Sequence, residues 1–201
     1  APEQKVLDVV VGELARYVAT ILGVDGAFIA TRDVARPGQL QMRAFYLDGQ
    51  TRENFAYPMA DTPCETVLGH GFRIYPSRLV DLFPVDLDFR KLGFDSYAGH
   101  PLTDASGQSC GLIAAVSRRT LDQPAFVESV LRIFAVRINA ELERATALEA
   151  LRASEASYRE IFEASEDAIF VHDWDTGAIV DVNHQACAAY GYSRDELLQV
   201  G

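Results

Sequence analysis

From Ala125 to Thr176 the chain contains neither glycine nor proline, the residues that most often interrupt a helix. Cysteine is also scarce. Cys64, Cys110 and Cys187 are odd in number and far apart, with no CxxC pair and no Cys/His cluster at zinc spacing. That excludes a disulfide framework and a structural zinc site. The thiols are expected to be reduced and mostly buried, with Cys64 lining a ligand pocket as the sharper alternative. No apolar run approaches the roughly 18 residues of a membrane span, and the N-terminus has no signal-peptide pattern, so a soluble, cytoplasmic fragment is expected.

Basic residues are few: 18 against 29 acids, a net charge of −11. The deficit is concentrated late. Residues 1–140 carry 16 acids and 14 bases, whereas residues 141–201 carry 13 acids and 4 bases. No basic face exists for a nucleic acid, and the acidic part speaks against an anionic partner unless it is simply a solvated helix face. No Ser/His/Asp arrangement, glycine-rich phosphate loop or paired-carboxylate motif is evident. The absence of the tight ligand spacing of a calcium loop makes Asp81, Asp86, Asp88 and Asp95 solvated helix-cap acids.

What is present divides into three parts. Val6, Leu7, Val10, Val11, Leu14, Val18, Ile21 and Leu22 predict an amphipathic helix over about 3–22, closed by Gly23. Strands are expected at 27–30, 40–47 and 51–57, the last two joined by Asp48-Gly49. Thr62-Pro63-Cys64-Glu65 reads as a capping box opening a short helix. A strand at 72–75, helical turns around 79–83 and 89–92, and strands at 96–102 and 109–117 follow. Next, Leu131, Phe134, Ile138, Leu142, Ala145, Leu148 and Leu151 recur every three or four residues. They mark one apolar face of a helix of some forty residues, about 60 Å long. Beyond Ser165, strands at 167–173 and 178–182 and helices at 185–190 and from 193 begin another module. The fold class predicted is α+β: an antiparallel sheet of five to six strands with terminal helices on one face and a helical layer roofing a cavity on the other. The parts are 1–123, a connector helix over 124–165 whose first part packs on that core, and an incomplete module at 166–201.

The motifs Tyr57-Pro58, Thr62-Pro63-Cys64-Glu65-Thr66-Val67-Leu68, Tyr75-Pro76-Ser77, Leu82-Phe83-Pro84 and Ser96-Tyr97-Ala98-Gly99-His100-Pro101-Leu102 resemble the GAF family of sensory domains. The resemblance runs from about residue 3 to 145. Tyr158 to Glu163, Asp167-Ala168-Ile169-Phe170, Asp175-Thr176-Gly177, Val182-Asn183 and Tyr190 to Leu198 resemble the opening of a PAS domain. The two resemblances imply a bacterial signalling protein with a histidine kinase or a cyclic-di-GMP synthase or phosphodiesterase as its output domain. This fragment would then be a non-enzymatic input or relay module.

Bilin attachment in that family uses Cys followed by His, which none of the three cysteines satisfies, and the cyclic-nucleotide signature is absent. The ligand is left unknown, with a small molecule expected if any, and no metal. The pocket residues expected are Cys64, Arg73, Tyr75, Tyr97 and His100, where alternation places Arg73 and Tyr75 on one strand face. The bland readings are an Arg73–Asp81 ion pair, Tyr75 as core, and His100 as a singly hydrogen-bonded histidine rather than a haem ligand. Partner expectations are a homodimer through the stripe Leu131–Leu151, with Glu141 and Glu155 weakening the seam, or a ligand-free dimerising spacer. A remote reading is a free methionine sulfoxide reductase using Cys64 and Cys110.

Overall fold

The computed structural model describes residues 2–199, with side chains from Val6 onward; residues 1, 200 and 201, including the ends of the first and last expected parts, lie outside the described residues. The chain divides into two compact units, Ala1–Ala145 and Thr146–Gly201. The first unit is α+β. Helix α1 (Pro2–Leu22) precedes strands β1 (Gly26–Arg32), β2 (Gln39–Leu47), β3 (Gln50–Arg52) and β4 (Ala56–Pro58). Then come α2 (Pro63–His70), β5 (Arg73–Tyr75), α3 (Leu79–Leu82), α4 (Leu87–Leu92), β6 (Ser96–Thr103) and β7 (Ser109–Ser117). Helix α5 (Pro124–Ala164) starts in this unit.

The strands form one antiparallel sheet in the order β3-β2-β1-β7-β6-β5, with β4 paired to β2. Asp48 and Gly49 both have positive φ (52° and 81°), the geometry of a type I′ hairpin, and they turn β2 into β3. The single strand expected over 51–57 is broken: residues 53–55 leave the ladder, so β3 and β4 meet different stretches of β2. Central strands β1 and β7 lie so close that a Cβ on Gly111 would stand 2.3 Å from the Ala30 carbonyl oxygen.

Because side chains alternate along a strand, the sheet supports two cores. On one face, Ala27, Ile29, Ala98, Leu102, Ile113 and Ala115 meet Leu7, Val11, Ala15 and Val18 of α1 and Val127, Leu131, Ala135 and Ile138 of α5. On the other, Phe28, Leu40, Phe45, Leu112 and Val116 meet Val67 and Leu68 of α2, Leu79 of α3 and Phe89 of α4. The predicted layering holds.

Part of the apolar stripe of α5 is taken up by the core of the first unit. Leu131 and Ile138 are fully buried in their own domain, and Phe134, Leu142 and Ala145 lie half-buried against the same core. Leu131 and Ile138 are therefore already covered within the first unit. Leu148 is half-buried and Leu151 is exposed. Glu141, expected to weaken a seam, is buried and bridged by Arg137 (2.6 Å) and Arg144 (3.2 Å).

The second unit contains a two-stranded hairpin, β8 (Phe170–His172) and β9 (Ile179–Val182), followed by α6 (His184–Tyr190) and α7 (Arg194–Gln199). Strand β8 is much shorter than the 167–173 expected: the Asp167 carbonyl and Ile169 N–H are taken by the Asn183 side chain, and the Asp173 carboxylate caps the turn at Asp175 and Thr176. The capping box before α7 is complete: Ser193 N–H donates to Glu196 Oε2 and Glu196 N–H to Ser193 Oγ. Its small core is Val182, Ala186 and Leu197. At its centre Asn183 is wholly buried. Its Nδ2 donates to the carbonyls of Phe162 (3.1 Å) and Asp167 (2.9 Å), while Oδ1 accepts from Ile169 and Ala186 N–H (both 2.9 Å). Every hydrogen-bonding capacity of that amide is filled.

The two faces of α5 are separable by mutation. Leu131→Ala is expected to destabilise the first unit by about 2–5 kcal/mol. Ile133→Ala, on the exposed side, should stay within about 0.5 kcal/mol. Urea unfolding measures both; equal losses would contradict the burial described.

Candidate functional site

The roof-side layer is where a ligand would be expected, and its sequence explains how it forms. Pro63 begins α2 at a position where no N–H is needed. The expected capping box is not made. Thr62 Oγ1 donates to the Met59 carbonyl (2.6 Å) instead of capping, and Glu65 Oε2 accepts from Asp61 N–H (2.9 Å) rather than from Thr62. Asp61 and Arg78, at the approaches to α2 and α3, both have φ of 59°. Asp95 holds the α3 end, its carboxylate accepting from Arg78 N–H and its carbonyl from Leu79 N–H.

Cys64, Tyr75 and Tyr97 come together on this face. Tyr97 and Cys64 are fully buried, and the Tyr97 hydroxyl donates to Cys64 Sγ at 3.6 Å. Tyr75 pairs across the ladder with Tyr97 and donates its hydroxyl to Thr66 Oγ1 (2.9 Å). Arg73 is on the same face of β5, opposite Gly99, where a Cβ would stand 2.5 Å from the Tyr97 hydroxyl and 2.7 Å from Val67 Cγ2. Its guanidinium donates to the Phe72 carbonyl, and Asp81 pairs instead with Arg78. His100 does not join them. It follows the alternation of Ala98 and Leu102 onto the helix side, near Phe72, and its Nδ1 donates to the Pro101 carbonyl (2.9 Å). A haem ligand for the roof side is therefore not found there.

The polar centre of the layer is a pair that sequence reasoning missed. The Tyr57 hydroxyl donates to Asp86 Oδ2, and Asp86 Oδ1 accepts from Phe89 N–H as the cap of α4. The capping role was legible; the burial was not. Asp86 is 6% exposed between Val85 at 65% and Leu87 at 58%, an inversion that no hydropathy pattern signals. Around it the rings of Phe28, Phe45, Tyr57, Phe89, Phe94 and Tyr97 stand 5.7–6.4 Å from their neighbours. These rings pack against one another beneath the roof-side helices. An open cleft of about 420 Å³ lies at the edge of the layer, between Asp61, Thr62, Glu65 and Thr66 and the link Leu82–Val85.

Burial sets the electrostatics. It pushes the Cys64 thiol up to about 12, and raises Tyr97, Tyr57 and Asp86 above their ordinary values. The Tyr57 hydrogen bond acts the other way on Asp86 and lowers it, but by less than burial raises it. Cys64 is thus a protonated, inert thiol at neutral pH. Cys110 packs against the helix-side core, on the opposite face of the sheet from Cys64. The two thiols cannot exchange a disulfide through the sheet, which removes the structural basis for the reductase reading. Among the described residues, no group of three or more His, Cys, Asp or Glu could hold a metal ion, and no helix is long and apolar enough to cross a membrane.

Comparison with known proteins places this architecture. The GAF domain region of a Geobacter sulfurreducens protein aligns with a TM-score of 0.54 at 17% identity, over 71% of this chain and 96% of that one. The chromophore-binding domain of a bacteriophytochrome from R. palustris aligns with a TM-score of 0.57 at 14% identity, over 71% of this chain and 57% of that one. The first unit has a GAF fold. Residues 156–200 match the sequence model of a PAS domain. The chain is also 25% identical over 111 residues to a methyl sulfide methyltransferase-associated sensor of Methanosarcina acetivorans, covering 55% of this chain and 11% of that protein. This chain thus joins a GAF-fold unit to a segment that matches a PAS-domain model, and it spans about a tenth of the length of that sensor.

The Tyr57–Asp86 pair gives a pH signature. With its folded value raised, Asp86 contributes stability that is complete below the ordinary carboxylate range and lost as pH rises through the raised value. Asp86→Asn should lack that component, so the gap between variant and parent in urea midpoints should move in the variant's favour from pH 4 to pH 7. A gap that is flat with pH would refute the assignment. Tyr57→Phe should cost about 1–3 kcal/mol, since it leaves a buried carboxylate oxygen without its donor.

Proposed function

We propose that this chain is a regulatory, non-catalytic input module of a multidomain signalling protein, working in the cytoplasm. A ligand or partner shifts the GAF unit between two packings. Helix α5 carries the shift, as a small rotation, translation or change in pairing, to the PAS segment and onward to a histidine kinase or a cyclic-di-GMP synthase or phosphodiesterase. One observation carries the reading: α5 is continuous from Pro124 to Ala164, serving first as a core helix of the GAF unit and ending within the PAS segment. At that end the Phe162 carbonyl is held by Asn183, and Arg159 pairs with Asp181 at 3.7 Å. On this reading a shift of the helix at one end is passed to the buried contacts at the other. The active form on this reading is a homodimer, paired through the helix.

A second reading, a ligand-free dimerising spacer, draws support from the aromatic filling of the roof-side layer. There, the Cys64, Tyr75 and Tyr97 side chains and the surrounding rings satisfy one another. Arg73, beside the Cys64–Tyr97 pair, remains the side chain suited to an anionic or carbonyl-bearing ligand once the layer loosens.

Native mass spectrometry separates the two. A ligand sensor is expected to carry non-protein mass above the 22.1 kDa chain when purified gently, and to lose it on denaturation. A bare chain in every preparation would transfer the reading to the spacer.

A further inference from the structure

We propose that the cleft at the edge of the roof-side layer binds a small organic cation, an ammonium group carried on an apolar body. The inference rests on the ligand-sensor reading above and deepens it by giving that ligand a place and a charge. The cleft measures about 420 Å³, within the range of small-molecule sites. It is open at the rim, whereas the centre of the layer is taken up by buried side chains.

Its two walls point to the occupant. One wall is acidic, made by Asp61 and Glu65, both exposed, at the start of α2. Glu65 Oε2 accepts from Asp61 N–H (2.9 Å), which holds the second carboxylate beside the first residue. Among the described residues no base pairs with either carboxylate, and bases of the facing helices are already committed, Arg78 to Asp81 and Lys91 to Asp88. The start of α2 contributes about half a positive charge, too little to balance two carboxylates, so this wall stays negative. Two solvated acids would need no ligand by themselves. The opposite wall is what makes a site. Leu82 and Val85 are 55% and 65% exposed there, and Phe83 lies between them, backed edge-to-face by Tyr75 at 4.9 Å. An anion is repelled by the first wall, and a hydrated metal ion gains nothing from the second. An ammonium with an apolar body satisfies both, and an aromatic ring adds attraction for its charge.

The cleft also touches the polar contacts of the layer. Thr66 lines it, and Thr66 Oγ1 accepts from the Tyr75 hydroxyl (2.9 Å) while donating to the Pro63 carbonyl (2.7 Å). Tyr75 pairs across the ladder with Tyr97, whose hydroxyl donates to Cys64. A ligand seated against Phe83 and Thr66 therefore presses on both partners of Tyr75, and through Tyr75 on the sheet.

Amide NMR titrations of the full chain with three probes of one shape test the assignment: benzylammonium, benzyl alcohol and benzoate. Benzylammonium is expected to shift the amides of Asp61–Thr66 and Leu82–Val85 saturably. It should bind about 10-fold more tightly than benzyl alcohol, with benzoate weakest. Asp61→Asn and Glu65→Gln should each weaken benzylammonium by about 3–5-fold, the scale of a partly exposed ion pair, and leave benzyl alcohol unchanged. Asparagine accepts the φ of 59° at position 61, and glutamine keeps an acceptor for Asp61 N–H, so melting of both variants should match the parent. Val85→Lys, at an exposed position, sets a resident cation beside the acids and should weaken benzylammonium by at least about 10-fold. Equal affinity for benzylammonium and benzyl alcohol overturns the cationic assignment and leaves the sensor reading standing. Preferred binding of benzoate, lost with Arg73→Gln, has the same two consequences and moves the site to Arg73. Benzylammonium shifts confined to the acidic second unit, or absent at tens of millimolar, overturn the cleft. The sensor reading falls only if native mass spectrometry also finds a bare chain.

Discussion

A sheet whose middle strands are buried from both sides is the constraint on which the GAF unit depends. In β1 every residue from Gly26 to Thr31 is buried, so neither alternate set of side chains can face water. Each face must be covered by a separate layer, and the two layers differ in chemistry. The helix side is aliphatic and small, with alanines at 15, 19, 27, 44, 98, 115 and 135 permitting α1 and α5 to settle closely. The roof side is aromatic, with polar tips tied to one another. The first is suited to transmitting displacement, because close-packed aliphatic surfaces deform little. The second contains hydrogen bonds that can be exchanged for others, as a responsive site requires.

The sequence announced the architecture more clearly than the site. Periodicity placed α1, α5 and the central strands, because those elements take one or both faces from apolar residues at regular steps. Asp48-Gly49 fixed a hairpin, because its backbone geometry is local. What escaped prediction was non-local. Whether β3 and β4 form one strand depends on which stretch of β2 each meets. That Asp86 is buried depends on a tyrosine 29 positions earlier folding over it. Strand alternation puts Tyr97 on the roof side and His100 on the other, since even-numbered residues of β6 face the helices, whereas Cys64 reaches Tyr97 from α2.

Helix α5 shows that a stripe on one helix need not have one use along its whole length. At Leu131, Ala135 and Ile138 the apolar face is taken up by the domain the helix closes, whereas Leu151 lies in water. Periodicity says that a face is apolar; it does not name what covers it.

Asn183 has a consequence of a chemical kind. Its amide is saturated, with two donors aimed at carbonyls and two acceptances from N–H groups. Hydrolysis of that side-chain amide, with water taken up and ammonia released, would replace the two donors with a carboxylate oxygen facing the oxygens of Phe162 and Asp167. The join between α5 and the hairpin would then repel itself. An asparagine in that position makes the join between α5 and the hairpin depend on the integrity of a single amide group.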